Sequence, residues 1–239
     1  MQLAEHPDSY TPRQTLAAWS VHLLTASGLL LALLMLQAAN AGRWQTFFLL
    51  MALSILIDGF DGLLARKARV KEILPGIDGM LLDNIVDFVT YAVVPAYLAL
   101  TTDLVPAFWS APIAVIILLT SAFQFSQSDA KTDDHFYKGF PSYWNIAVYY
   151  MVLLRWPAAV NLGFLLGLSV MVFVPIKFIY PSRTVALRTL TWTLMLSWMV
   201  AQFVLLARFN DPPLWLAWGS LAFVVYYVGA SLWLMFRDR

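Results

Sequence analysis

Between Asp58 and Asp87 the chain sets four carboxylates in two short clusters, Asp58-Gly59-Phe60-Asp61-Gly62-Leu63-Leu64-Ala65-Arg66 and Gly79-Met80-Leu81-Leu82-Asp83-Asn84-Ile85-Val86-Asp87. Asp58 and Asp61 are three residues apart and Asp83 and Asp87 four apart, so on helices each pair occupies one face. Two such faces brought together make a cage of carboxylate oxygens, the donor set that hard divalent cations such as Mg²⁺ and Mn²⁺ take. In two-metal sites the ions sit about 3.5–4 Å apart and clamp a phosphoryl group undergoing in-line displacement. Gly62 and Gly79 leave room beside the acids for a ligand or a neighbouring helix. Arg66, four residues beyond Gly62, lies near the same face, where a guanidinium can meet phosphate oxygens bidentately. The plainer alternative is that these aspartates cap helix ends or pair with Arg66, Lys67, Arg69 and Lys71. Their joint spacing, interleaved with glycines and one arginine, favours the cage.

The elements that must position these acids are membrane helices. Of 239 residues 61% are hydrophobic and only 12% charged, with a mean hydropathy of +0.71, outside the range of ordinary soluble domains. The expected class is an all-α, polytopic integral membrane protein. Apolar stretches long enough to cross the hydrocarbon fall at eight places, near 16–38, 44–66, 79–101, 106–127, 142–158, 161–180, 186–207 and 213–236. The fifth is short and carries Tyr143, Trp144, Asn145 and Arg155. No cleavage pattern follows the first, which is too long for a signal-peptide core and is expected to stay as a span. A charged side chain inside a span costs about 2.5–3.5 kcal/mol on the insertion scale, so four clustered aspartates call for a positive partner.

The expected organisation is a polar N-terminal arm, residues 1–15, followed by one membrane domain over 16–239. Pro7 and Pro12 are expected to keep the arm from extending the first helix. Polar loops fall at 67–78, at Ser128–Pro141 and at Pro181–Arg183. With the N-terminus in the cytoplasm, every one of the 15 Lys and Arg residues except Arg43, Arg155 and Arg208 lies on the cytoplasmic side. The positive-inside rule therefore favours both termini inside and puts the Asp58–Asp87 region at the cytoplasmic face. The absence of cysteine excludes disulfides and thiolate metal sites.

The pattern Asp58-x2-Asp61-Gly62-x2-Ala65-Arg66…Gly79-x3-Asp83-x3-Asp87 resembles the signature of the CDP-alcohol phosphotransferases, membrane enzymes that make phospholipids. That family usually places about eight residues between the arginine and the next glycine, whereas here there are twelve. This longer spacer, Gly59, the Asp78-Gly79 pair and the count of eight helices resemble the bacterial phosphatidylcholine synthase branch. The resemblance implies that choline and CDP-diacylglycerol react to give phosphatidylcholine and CMP. It implies further that Asp58, Asp61, Asp83 and Asp87 hold two ions of Mn²⁺ or Mg²⁺, with Asp83 and Asp87 at the catalytic centre and Asp87 taking the proton of the alcohol. By the same carry-over Gly62, Ala65, Arg66 and Gly79 line the nucleotide and phosphate pocket. A bacterial inner-membrane location and a homodimer are further expectations; no nucleic-acid partner is expected. A relative using serine, glycerol phosphate or inositol is the near alternative, and an ion-coupled carrier the distant one, because intramembrane aspartates also mark ion pathways.

Choline is a permanent cation without an N–H, so aromatic faces are its natural partners. Tyr91, one turn beyond Asp87, is the first candidate, and Tyr143 and Trp144 complete the expected cage, although Tyr and Trp near helix ends also serve as interfacial anchors. Asp133, Asp134 and His135 hint at another metal site but read more simply as a solvated loop. Phe140-Pro141-Ser142 reads as a lip over the head-group site. His22 and Thr25, one turn apart on the first helix, sit at a depth that approaches the nucleotide, or else bond a neighbouring helix. Lys177 and Arg183 suit lipid phosphates or topology anchoring.

Overall fold

The computed structural model describes residues 10–130, 132, 134, 136–180 and 184–237. Asp133, His135 and Arg183, and most of the expected arm, lie outside them. Its regular structure is helical except for one short two-stranded ribbon, and the chain divides into two compact units, Met1–Thr90 and Tyr91–Arg239.

The first unit is built on α1 (Pro12–Asn40), α2 (Trp44–Lys67), the single turn α3 (Val70–Ile73) and α4 (Gly79–Asp87). Thr11 caps α1 by a reciprocal box: its backbone N–H donates to Gln14 Oε1 at 2.8 Å and its hydroxyl accepts from the Gln14 N–H at 3.3 Å. Pro12 therefore occupies the first helical position, where its missing N–H costs nothing, instead of ending a separate arm. The α1–α2 turn uses Gly42 at φ +67°, a conformation that suits glycine. Arg66 and Lys67 fall in the last turn of α2, where cations complement the helix dipole. Asp78 caps α4, accepting from the N–H groups of Met80 and Leu81 at 3.0 and 3.1 Å. One face of α1 buries small or polar residues, among them Ala18, His22, Thr25, Gly28 and Ala32, while Leu16, Leu23, Leu30 and Leu33 stay exposed, as residues meant for lipid.

The third apolar span, Gly79–Thr101, begins in the first unit and ends in the second. Between α4 and α5 (Val94–Thr101) it widens into a π-helical stretch, Phe88–Val93. Pro95 cannot donate to the carbonyl four residues earlier, and the wider turn sits where that bond is missing.

The second unit adds α6 (Ser110–Ser126), β1 (Phe136–Lys138), α7 (Trp144–Leu153), α8 (Ala158–Met171), β2 (Lys177–Ile179), α9 (Arg188–Ala207) and α10 (Leu214–Arg237). β1 and β2 pair antiparallel, with Tyr137 opposite Phe178. This pairing ties the segment after α6 to the segment before α9. Lys138 and Lys177 face each other in the ribbon and each has an acid of its own, Asp129 and Asp134 respectively, both at 2.5 Å. Each lysine holds its partner's carboxyl below the usual Asp range by donating a hydrogen bond. The folded-state values being depressed, these pairs stabilise the fold above about pH 4 and fade as pH falls through the depressed values.

Among the described residues six helices are long and apolar enough to cross a membrane, and the chain is a multi-pass membrane protein. The all-α class holds, while the expected count of eight is met only as six long helices and two shorter apolar ones among the described residues. α7 has 10 residues and α8 has 14. At 1.5 Å per residue those lengths are about 15 and 21 Å, short of a hydrocarbon core of about 30 Å. The expected sixth span, 161–180, ends as a helix at Met171, and its tail becomes β2; Pro175 forbids helical continuation.

Polar side chains tie the second unit together. The Tyr150 hydroxyl lies 2.7 Å from Ser220 Oγ and accepts from Trp198 Nε1 at 2.9 Å and Gln202 Nε2 at 3.2 Å, linking α7, α9 and α10. Trp144 donates through Nε1 to Ser121 Oγ at 2.7 Å, and Asn161 Nδ2 donates to the Leu104 carbonyl at 2.8 Å. Interhelical hydrogen bonds in membranes contribute about 0.6–1.7 kcal/mol each. Replacing Tyr150 by Phe strands two donors, and a thermal-unfolding scan of purified protein is expected to show the midpoint lowered by about 3–8 °C.

Candidate active site

α2 and α4 bring Asp58, Asp83 and Asp87 together. Each offers a carboxylate oxygen, and the three oxygens lie within 4.8 Å of one another on half-buried side chains. The helical spacing explains the convergence: Asp83 and Asp87 share one stripe of α4, and Asp58 occupies the facing stripe of α2. The same cavity is lined by Asp61, Thr25, Gly28, Ser54, Val86 and Thr90. α1 supplies its back wall at Gly28, where an added Cβ would lie 2.5 Å from Val86 Cγ1. Only glycine permits that approach between α1 and α4.

Asp61 is oriented differently from the other three acids. It is 6% exposed, and its Oδ2 accepts a hydrogen bond from the Thr25 hydroxyl at 2.7 Å. The four acids thus share one cavity wall, with three converging directly and the fourth held by α1. Of the two expectations for His22 and Thr25, the hydrogen bond to a neighbouring helix describes Thr25. His22 is buried with Nε2 lacking a partner among the described residues, and its ring packs where a Cβ on Gly79 would come within 3.3 Å of Cε1.

The other expected site residues fall as follows. Arg66 Nη1 lies 3.6 Å from the position a Cβ on Gly62 would take, so the guanidinium folds back across the glycine toward the acid-bearing stretch. Ala65 packs on the small core of Ala18, Val70 and Ile73. Gly79 is exposed at the first turn of α4. In the second unit the rings of Tyr91 and Tyr143 lie 6.1 Å apart. Trp144 is 0% exposed and packs edge-on against Phe140 at 5.0 Å, which makes it and the expected lip residue Phe140 parts of the core. Asp134 is engaged by Lys177. The sequence reading passed over Ser54, Gly28 and Thr90 as cavity walls, because residues this common carry no signal until another helix faces them.

Oxygen donors alone, gathered within one ion's reach, fit a hard divalent cation. The cavity chemistry therefore suits a metal held by Asp58, Asp83 and Asp87.

Similarity to known proteins agrees. The chain is 40% identical over 234 residues to a phosphatidylcholine synthase of Legionella pneumophila, a match covering 95% of this chain and 90% of the relative. It is 36% identical over 224 residues to the phosphatidylcholine synthase of Borreliella burgdorferi, covering 93% and 96%, and 37% identical over 227 residues to that of Rhizobium johnstonii, covering 92% of each. The chain belongs to the phosphatidylcholine synthase branch of the CDP-alcohol phosphotransferase family. No protein-family model matches it. The matches run the length of the chain and so take in both compact units.

Thr25 is the partner that fixes Asp61 in this family member. If Asp61 is a metal ligand, Thr25→Val is expected to weaken Mn²⁺ binding at least ~10-fold, followed as free Mn²⁺ by electron paramagnetic resonance, with Thr25→Ser remaining near wild type.

Proposed function

We propose that this protein is a metal-dependent transferase that moves the phosphatidyl group of CDP-diacylglycerol to choline, releasing CMP. The observation that carries the reading is the convergence of Asp58, Asp83 and Asp87 within 4.8 Å, in a chain of this family. Asp58, Asp61, Asp83 and Asp87 would hold two ions of Mn²⁺ or Mg²⁺; when bound, these neutralise the diphosphate and stabilise CMP as leaving group. The choline hydroxyl gives its proton to the Asp87 carboxylate as its oxygen bonds to the phosphorus bearing diacylglycerol. The bond from that phosphorus to the bridging oxygen breaks, and CMP departs with the oxygen. Arg66, folded over Gly62, is suited to bind phosphate oxygens, a task its planar fork performs better than a lysine. Gly62, Ala65 and Gly79 would border the nucleotide.

Of the choline candidates Tyr91, Tyr143 and Trp144, we keep the two tyrosines. The 6.1 Å ring pair supports the two tyrosines, while Trp144 has its indole N–H committed to Ser121. The charge distribution supports a cytoplasmic active site with both termini inside, in a bacterial inner membrane. CDP-diacylglycerol would reach the site from the bilayer while choline and CMP exchange with the cytosol. We read residues 16–239 as one catalytic domain, and a homodimer as its working form.

Purified protein supplied with CDP-diacylglycerol, Mn²⁺ and one alcohol at a time tests the proposal. Choline is expected to yield phosphatidylcholine and an equal amount of CMP. Chelation should abolish turnover and added Mn²⁺ restore it, and Asp83→Asn and Asp87→Asn should each lower kcat at least ~100-fold. Product from serine but not from choline would contradict the choice of acceptor. Choline uptake into vesicles without CMP would contradict an enzyme altogether.

A further inference from the structure

We propose that Tyr137, on β1, completes with Tyr91 and Tyr143 an aromatic corner that binds the quaternary ammonium of the acceptor alcohol, so that the ribbon sets acceptor specificity. This deepens the choline reading and rests on it. The three rings are disposed as walls. Tyr91 and Tyr143 are 6.1 Å apart and inclined at 45°, while Tyr143 and Tyr137 are 6.5 Å apart and inclined at 81°. Steeply inclined rings at that separation can each stand within about 6 Å of a single cation, the range of cation–π attraction. Tyr137 and Tyr180, by contrast, lie 4.5 Å apart at 30°, a packed pair in which Tyr180 fixes the plane of its neighbour.

The ribbon that carries Tyr137 is anchored as a specificity element must be. α10 grips β2 at Ile179, whose N–H donates to Ser231 Oγ at 3.0 Å and whose carbonyl accepts from the Tyr227 hydroxyl at 2.9 Å. Ile179 pairs with Phe136, so that grip passes directly to the residue before Tyr137. Gln124 of α6 holds the other end of β1, donating to the Lys138 carbonyl at 2.9 Å. The lysines flanking the ribbon are each matched by an aspartate, which removes the repulsion an uncompensated ammonium would exert on a second cation. Burial and the neighbouring phenols push the Tyr137 hydroxyl up, so the ring stays neutral.

The segment leading into Tyr143 carries the marks of a functional site. Ser142 adopts φ +58°, a left-handed conformation that non-glycine residues rarely hold. It is fully buried with no partner for its Oγ among the described residues, and the same is true of Asn145 Nδ2. Buried polar atoms left without a protein partner are what a polar ligand or an ordered water satisfies. Trp144, between them, points its N–H to Ser121 and takes no part in the corner.

The test uses the full-length enzyme in nanodiscs. The KM for choline, the KM for CDP-diacylglycerol and inhibition by tetramethylammonium are measured for wild type, Tyr137→Leu, Tyr137→Phe, Tyr143→Leu and Tyr143→Phe. The Leu variants are expected to raise the choline KM and the tetramethylammonium inhibition constant together by about 5-fold or more, leaving the CDP-diacylglycerol KM within about 2-fold. The Phe variants, which keep the ring face, should stay within about 3-fold of wild type. In wild type, tetramethylammonium should compete with choline and not with CDP-diacylglycerol, a result that needs no variant to fold. Unchanged choline KM in the Leu variants, equal loss in Phe and Leu variants, or inhibition not competitive with choline would each overturn the corner while leaving the transferase reading intact. Wild-type turnover of serine but not choline would overturn both.

Discussion

Three carboxylates whose oxygens approach within 4.8 Å, in a protein this apolar, impose the constraint around which the first unit is arranged. At an effective dielectric of about 20, each pair of full charges at that distance repels by ~3.5 kcal/mol. The fold accepts this because the acids sit on two regular helices, α2 and α4, whose backbones satisfy themselves and hold the stripes in place. α1 completes the arrangement in two ways. Gly28 lets it close on Val86, and Thr25 takes Asp61 by a hydrogen bond, so that the fourth acid does not add to the crowding. A divalent cation held there would turn the repulsion into cohesion.

The second unit answers a different need. Its helices are joined by a few buried hydrogen bonds, at Tyr150, Trp144 and Asn161, and lipid offers no hydrophobic drive to bring them together. Where the chain cannot remain helical it makes a short ribbon, whose polar backbone is paired strand to strand and whose end is gripped by α10. That ribbon offers a rigid place from which a side chain such as Tyr137 can be aimed. In the function proposed above, the acids of α2 and α4 would serve the chemistry and the aromatic residues of the second unit the choice of acceptor.

The acids and their helices were legible because helical periodicity is local: three- and four-residue spacings decide which face a side chain occupies, whatever the rest of the chain does. The six long spans were legible for the same reason, since hydropathy adds along one segment. The two short helices were not. Hydropathy sums run over Pro157 and Pro175 without registering that they delimit α8 and release the residues that become β2. Pro12 starts a helix instead of breaking one, and the local Thr11-x-x-Gln14 capping box is the sequence signal that marks it. The tyrosine corner draws on the π-helical stretch, β1 and the start of α7, and nothing in any one of those segments announces the others. Thr25 was visible as a polar residue on an apolar helix, but its bond to Asp61 links residues 36 apart in sequence.

The most direct measurement is the anomalous scattering of Mn²⁺ in crystals grown with that ion. Two peaks of anomalous density are expected among the oxygens of Asp58, Asp61, Asp83 and Asp87. Manganese located elsewhere, or none between α2 and α4 at saturating concentration, would contradict the account.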